Sequence, residues 1–214
     1  MNPTEAQHKY SRKNSTVTPQ MLEDSFNEET RRLKINNNWQ TFPLSLAVVP
    51  EHRNGWAMTA IIDVDEGGQE AVKHVLACCK KHNLWAFAQL GQSNKHNGGH
   101  VYIPSIDPLP TGLLQELAKC IKHETETKGE AYPCNADLRL PLQIHLQAPD
   151  GPTRFPLVLQ DGETINAADP WKALVTLKGK WTPNSTEAIT ETINQLADHR
   201  SLPASPPSTT PLHK

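Results

Sequence analysis

Two aspartates one residue apart, Asp63 and Asp65, close an apolar, largely β-branched run from Trp56 to Val64. Such a run reads as a strand buried on at least one face. Side chains alternate along a strand, so the two carboxylates point to the same side with Cα atoms roughly 6.5–7 Å apart. Two carboxylates at the mouth of a buried strand cannot both ionise cheaply without a cation. A pair of Mg²⁺ ions about 3.5–4 Å apart suits them, and the chemistry such a pair serves is phosphoryl and nucleotidyl transfer. The same residues have a plainer reading: Asp-x-Asp is common, and Asp65-Glu66-Gly67-Gly68 also makes a turn that caps the next helix.

A second stretch with chemical content runs from Gly91 to Pro104. Glycines and small polar residues let backbone N–H groups converge on an anion. Ser93 offers a hydroxyl, Lys95 a point charge, and His100 opens an apolar strand from which its ring could reach a phosphate oxygen. A hairpin loop with a structural histidine accounts for these residues equally well. The stretch is not a Walker loop, because G-x-x-x-x-G-K-[ST] is absent. His74, Cys78 and His82 are spaced four apart, but no fourth ligand converges on them in sequence, and packing and solvent explain them.

The elements that must position these groups follow from periodicity. Val72, Val75, Leu76 and Cys79 predict a helix over 69–82, and Leu84 to Leu90 a second strand. Leu113, Leu114, Leu117, Ala118 and Ile121 predict a helix from Pro110 to about Thr127. Upstream, Thr18-Pro19 starts a helix whose broken pattern continues to about Ile35, followed by an extended segment from Trp39 to Val49. Downstream, a short apolar stretch Leu174–Leu177 precedes a helix capped by Asn184, with Glu187 three residues on, that reaches about Arg200. Residues 1–17 and the Pro/Ser/Thr-rich 201–214 are expected to be disordered, leaving one domain over 18–200.

Composition narrows the classes. With 21 basic against 23 acidic side chains and ten histidines, bulk charge does not announce a nucleic-acid binder, so any such binding needs a local groove. No apolar run is long enough to span a membrane and the N-terminus is polar, so a soluble, cytoplasmic protein is expected. The four cysteines lack paired C-x-x-C spacing, which argues against a zinc ribbon or a disulfide framework.

Taken together, a strand ending in apolar-Asp-apolar-Asp, a helix, a strand, and Ser93-x(6)-His100 within Gly98-Gly99-His100-Val101-Tyr102 resembles the archaeo-eukaryotic primase superfamily. The likeness is greatest to the primase-like domains of TOTE conflict systems and of CRISPR-associated primase-polymerases. Glu130-Ala131-Tyr132-Pro133, followed by Leu138-Arg139-Leu140-Pro141-Leu142 and His145, is also similar to that family. The resemblance covers roughly Leu46 to Gly162. It implies an α+β fold: a primase-like catalytic core with an RRM-like antiparallel sheet and a second α/β unit. It further implies that Asp63 and Asp65 bind the catalytic Mg²⁺ or Mn²⁺ and that His100 holds the triphosphate with Ser93 and Lys95 in support; Arg139 is a candidate phosphate ligand, and equally a partner in a structural ion pair. The partners implied are nucleoside triphosphates, a single-stranded DNA or RNA template, and a helicase or nuclease on a separate chain, with no membrane.

One part of the pattern is missing. The family's third metal ligand is an aspartate closing an apolar strand, and here Leu159 stands at that place, with Asp161 the first carboxylate after it. Asp161 is either a substitute ligand or the turn residue of an Asp-Gly pair. Two further classes therefore stay open: a degenerate module that binds nucleotide or single-stranded nucleic acid without turnover, and an adaptor that docks through its terminal helix and tail.

Overall fold

The computed structural model describes residues 18–27, 30–35, 38–43, 47–48, 55–92, 97–134, 138–145, 148, 150–151 and 153–201. The expected disorder of 1–17 and of the tail beyond Ser201 lies outside these residues, as do Ser93 and Lys95. In chain order the elements are α1 (Pro19–Phe26), β1 (Thr30–Ile35), β2 (Asn38–Pro43), β3 (Ala47–Val48), β4 (Trp56–Val64) and α2 (Gly68–Lys81). Then follow β5 (Phe87–Gln92), β6 (Asn97–Pro110), α3 (Thr111–Glu124), β7 (Ala131–Tyr132), β8 (Leu138–Arg139), β9 (Leu157–Leu159), β10 (Thr164–Ile165), α4 (Pro170–Gly179) and α5 (Thr186–Ser201).

The fold is α+β, built on a six-stranded sheet in the order β10-β9-β5-β6-β4-β7 with every pairing antiparallel. From β4 to β7 the elements run β-α-β-β-α-β, and within the sheet those four strands lie second-third-first-fourth. β4 is interior, paired with β6 on one side and β7 on the other. That position explains its near-continuous apolar sequence, since both faces are covered.

Alternation sorts the core into two layers. Ala60, Ile62 and Val64 of β4, with Val101, Ile103, Ala88 and Val158, face the helices α2, α3 and α5 through Val75, Leu76, Leu117, Ile121, Ile189 and Leu196. Ile61, Phe87, Tyr102, Tyr132, Leu157 and Leu159 face the other way, onto Phe26 of α1, Leu138 and Leu142, and Ala173 and Leu177 of α4. Arg154 ties this second layer together: its guanidinium donates to the carbonyls of Ser25 (2.8 Å) and Phe26 (3.2 Å) and its Nε to that of Leu142 (3.1 Å). The last carbonyls of α1 thereby meet a cation, which suits a helix C-terminus.

Two sequence expectations are corrected, on the extent of the first helix and on the cap of the last. The helix expected to run to about Ile35 stops at Phe26, and 30–35 instead forms an antiparallel hairpin with 38–43, closing at Ile35↔Asn38. The Leu33/Ile35 spacing was a period of two rather than part of a helical pattern. The stretch around Leu174 is a helix, capped by Asp169, whose side chain accepts the amide of Lys172 at 3.0 Å. The last helix is capped by Ser185, which accepts from Ala188 N, while Asn184 grips both backbone groups of Trp85 at 2.7 and 2.9 Å. No helix among the described residues is long and apolar enough to cross a membrane.

Candidate metal centre

The site forms where β4 runs out. Asp63 stands directly opposite His100 in the β4–β6 register, so both side chains leave the same sheet face, and Nε2 of His100 lies 3.3 Å from Asp63 Oδ1. On the other side of β4 the segment entering β7 continues the ladder. Asp63 N donates to Glu130 O at 3.0 Å, and Asp65 N to Lys128 O at 3.2 Å. This approach needs Gly129: a Cβ there would sit 2.0 Å from the carbonyl oxygen of Asp63, and its φ of +125° is one that other residues rarely adopt. The Lys122 ammonium, from α3, holds the Gly129 carbonyl from behind.

The ladder brings a third acid to the aspartates. Asp63, Asp65 and Glu130 each present a carboxylate oxygen, and the three oxygens lie within 4.8 Å of one another. Glu130 shows the strain of that gathering. Its carboxyl is held above the usual range, first by burial and then by the charges of Asp63 and Asp65, with a side-chain hydrogen bond to Asp63; Lys122 pulls the other way. Three converging hard oxygen donors that resist joint ionisation are what a divalent cation relieves, so the cluster could hold a metal ion.

Beside the acids lies a buried group of donors. The Arg139 guanidinium extends over β5, with Nη2 3.8 Å from where a Cβ on Gly91 would be, and its buried Nε has no hydrogen-bond partner among the described residues. Burial lowers the Arg139 pKa, while Tyr102 and Asp63 raise it. The Tyr102 hydroxyl lies 3.4 Å from His100 Nδ1 and also 3.4 Å from the Arg139 carbonyl oxygen, so it steadies the imidazole from below. His145 completes the group: burial, then Arg139 and His100, push its pKa down to about 4, which keeps the ring neutral near pH 7. Gln89, opposite His100 on β5, is buried; it donates to the carbonyl of Phe155 at 3.2 Å and leaves its own Oε1 without a partner.

Asp161 does not belong here. Along the sheet, Asp63 aligns with His100, then Gln89, then Leu157. Strand β9 is thus three strand spacings from β4, ~14 Å, and Asp161 lies in the turn beyond its end, on the side away from the row of Asp63. Its Oδ1 accepts the amide of Glu163 at 2.9 Å, the behaviour of a turn aspartate. The shift from Leu159 to Asp161 takes the acid off the strand and away from the row of Asp63. The His74, Cys78 and His82 set likewise assembles nothing: Cys78 enters the core and His82 bonds Gln195.

Of the residues singled out in the sequence, the structure brings Asp63, Asp65, His100 and Arg139 together. Glu130 was missed as a candidate ligand. Its signal was its place at the head of the short Tyr-Pro strand, which carries no periodicity of its own. Comparison with protein-family models and with curated proteins finds no match for this chain.

Proposed function

We propose that this chain is a primase- or polymerase-like nucleotidyltransferase that adds nucleotides on a nucleic-acid template. The observation that carries the reading is the juxtaposition of the Asp63/Asp65/Glu130 cluster with His100, on the adjacent strand β6, and with the Arg139 guanidinium reaching in from β8. The β-α-β-β-α-β order and the strand order of the sheet support an RRM-like core of the primase kind.

In this reading Glu130 replaces the acid missing from β9, and the three carboxylates hold Mg²⁺ or Mn²⁺. Ions there supply positive charge to a triphosphate and lower the proton affinity of an attacking hydroxyl. Arg139 offers a fixed fork of donors to phosphate oxygens, and its partnerless Nε is a buried donor in want of an acceptor. His100, positioned by Asp63 and Tyr102, steadies the same phosphates. Catalysis is then mostly positioning and charge stabilisation.

The test is incorporation of labelled nucleotide on a primed or unprimed template with Mg²⁺ or Mn²⁺. Asp63→Ala, Asp65→Ala and Glu130→Ala should each abolish it, and a wild-type signal no greater than theirs removes the claim. A second reading, binding without turnover, is favoured by Leu157 and Leu159, which leave β9 without a carboxylate on the site-bearing face. Nucleotide that binds with metal-dependent affinity while incorporation stays absent would select it.

A further inference from the structure

Helix α4 packs Ala173 and Leu177 into the core layer beneath the sheet face that carries Asp63 and His100. Its outward side is unlike ordinary solvated surface. Trp171 is 42 % and Val175 71 % exposed, and helical spacing sets Trp171, Val175 and Lys178 in one line with Lys172 beside it. The helix contains no acidic residue, and among the described residues neither Lys172 nor Lys178 meets a carboxylate. Just beyond its end Trp181, 44 % exposed, rests on Trp85 and Phe87 with ring centroids 5.3 and 5.8 Å apart. Trp171 meets Phe26 edge-on at 4.9 Å. Both indoles are therefore braced from below and open above.

Braced aromatic faces interleaved with unneutralised lysines match a ligand that carries flat rings and phosphates in alternation. A duplex hides its base faces, so the strand that fits is a single one. We propose that α4 and Trp181 form a landing surface for single-stranded nucleic acid, with bases stacked on Trp171 and Trp181 and phosphates on Lys172 and Lys178. The proposal rests on the nucleotidyl-transfer reading for its purpose, since the strand so held is the template, but its binding can be measured without turnover.

The experiment uses the full chain in EDTA and follows the anisotropy of a fluorescein-labelled oligothymidylate across a salt series. Wild type should bind with a clear salt dependence. Lys172→Glu with Lys178→Glu should weaken binding by about tenfold or more and reduce the log–log salt slope by about 1.4, two phosphates at ~0.7 each. Trp181→Ala should cost about tenfold, and Val175→Glu, on exposed surface, should weaken binding while leaving the melting temperature unchanged. Charge-reversed protein that binds with wild-type affinity and slope overturns the proposal, as does binding of anionic vesicles in place of the oligonucleotide. Asp63→Ala separates this proposal from the catalytic one: it should lose incorporation and keep oligonucleotide binding. If wild type shows no incorporation but its binding still depends on Lys172 and Lys178, the surface stands and the enzymatic reading falls.

Discussion

Glu130 shows how one side chain sets the behaviour of a site. With no ion bound, its raised pKa means that it holds a proton in the folded state at a pH where the unfolded chain has released it. That arrangement costs stability as pH rises through the unfolded value toward the folded one. Glu130→Gln removes the repulsion, so the metal-free variant should melt no lower than wild type, while its affinity for Mn²⁺ should fall at least about tenfold by isothermal titration. Unchanged affinity would take Glu130 out of the centre. His145 works in the opposite sense. Its pKa is near 4 folded against 6.5 unfolded, so the unfolded chain binds the extra proton between those values. Stability is complete above pH 6.5 and is lost as pH falls through that window, by roughly 1–2 kcal/mol once its partial exposure is allowed for. Urea midpoints at the two ends of the window measure the loss, and a His145 imidazole proton resonance that titrates near 6.5 would contradict it.

Among the elements, the segment from Lys128 to Tyr132 matters more to the site than its length suggests, because it lays Glu130 along β4. Gly129→Ala drives a Cβ into the carbonyl of Asp63 and forces a positive φ on an L side chain. The expected cost is roughly 2–4 kcal/mol in denaturant unfolding, with loss of metal affinity. An alanine variant as stable and as metal-binding as wild type would mean that the segment relaxes freely. This level is also where the sequence was least legible. Long periodic elements announced themselves: α2 and α3 through apolar spacing, and β4 through its β-branched run ending in Asp63 and Asp65. β7, with two residues, has no period to read, so only tertiary pairing reveals that Glu130 faces the aspartates. The same limit misplaced Asp161, which falls in the turn past β9 and whose distance from Asp63 depends on the order β9-β5-β6-β4. Asn184 read as a helix cap because Asn favours that position, yet the backbone groups of Trp85 claim its amide.

For the molecule as a whole, the two core layers separate tasks. One side of the sheet is sealed by α2, α3 and α5, and the other carries the acids, the buried donors and the α4 surface. An ion that binds the folded chain alone should stabilise all of it. At a cation concentration about 100 times its Kd, the gain is ~2.7 kcal/mol, or about 5–10 °C in Tm for a domain of this size. Protons compete for the same oxygens, so the shift should shrink as pH falls toward the range in which Glu130 is protonated. Thermal scans with and without Mn²⁺ across that range check it, and an equal shift in Asp63→Ala would place the ion elsewhere.

The amides of Asp63 and Asp65 donate to the carbonyls of Glu130 and Lys128, so all three carboxylates ride on one hydrogen-bonded girder. A fluctuation that lifts one strand carries the other with it, and the ligands keep their mutual spacing. A cation taken up there would cost little beyond side-chain freedom, because its donors are already gathered before any larger guest arrives.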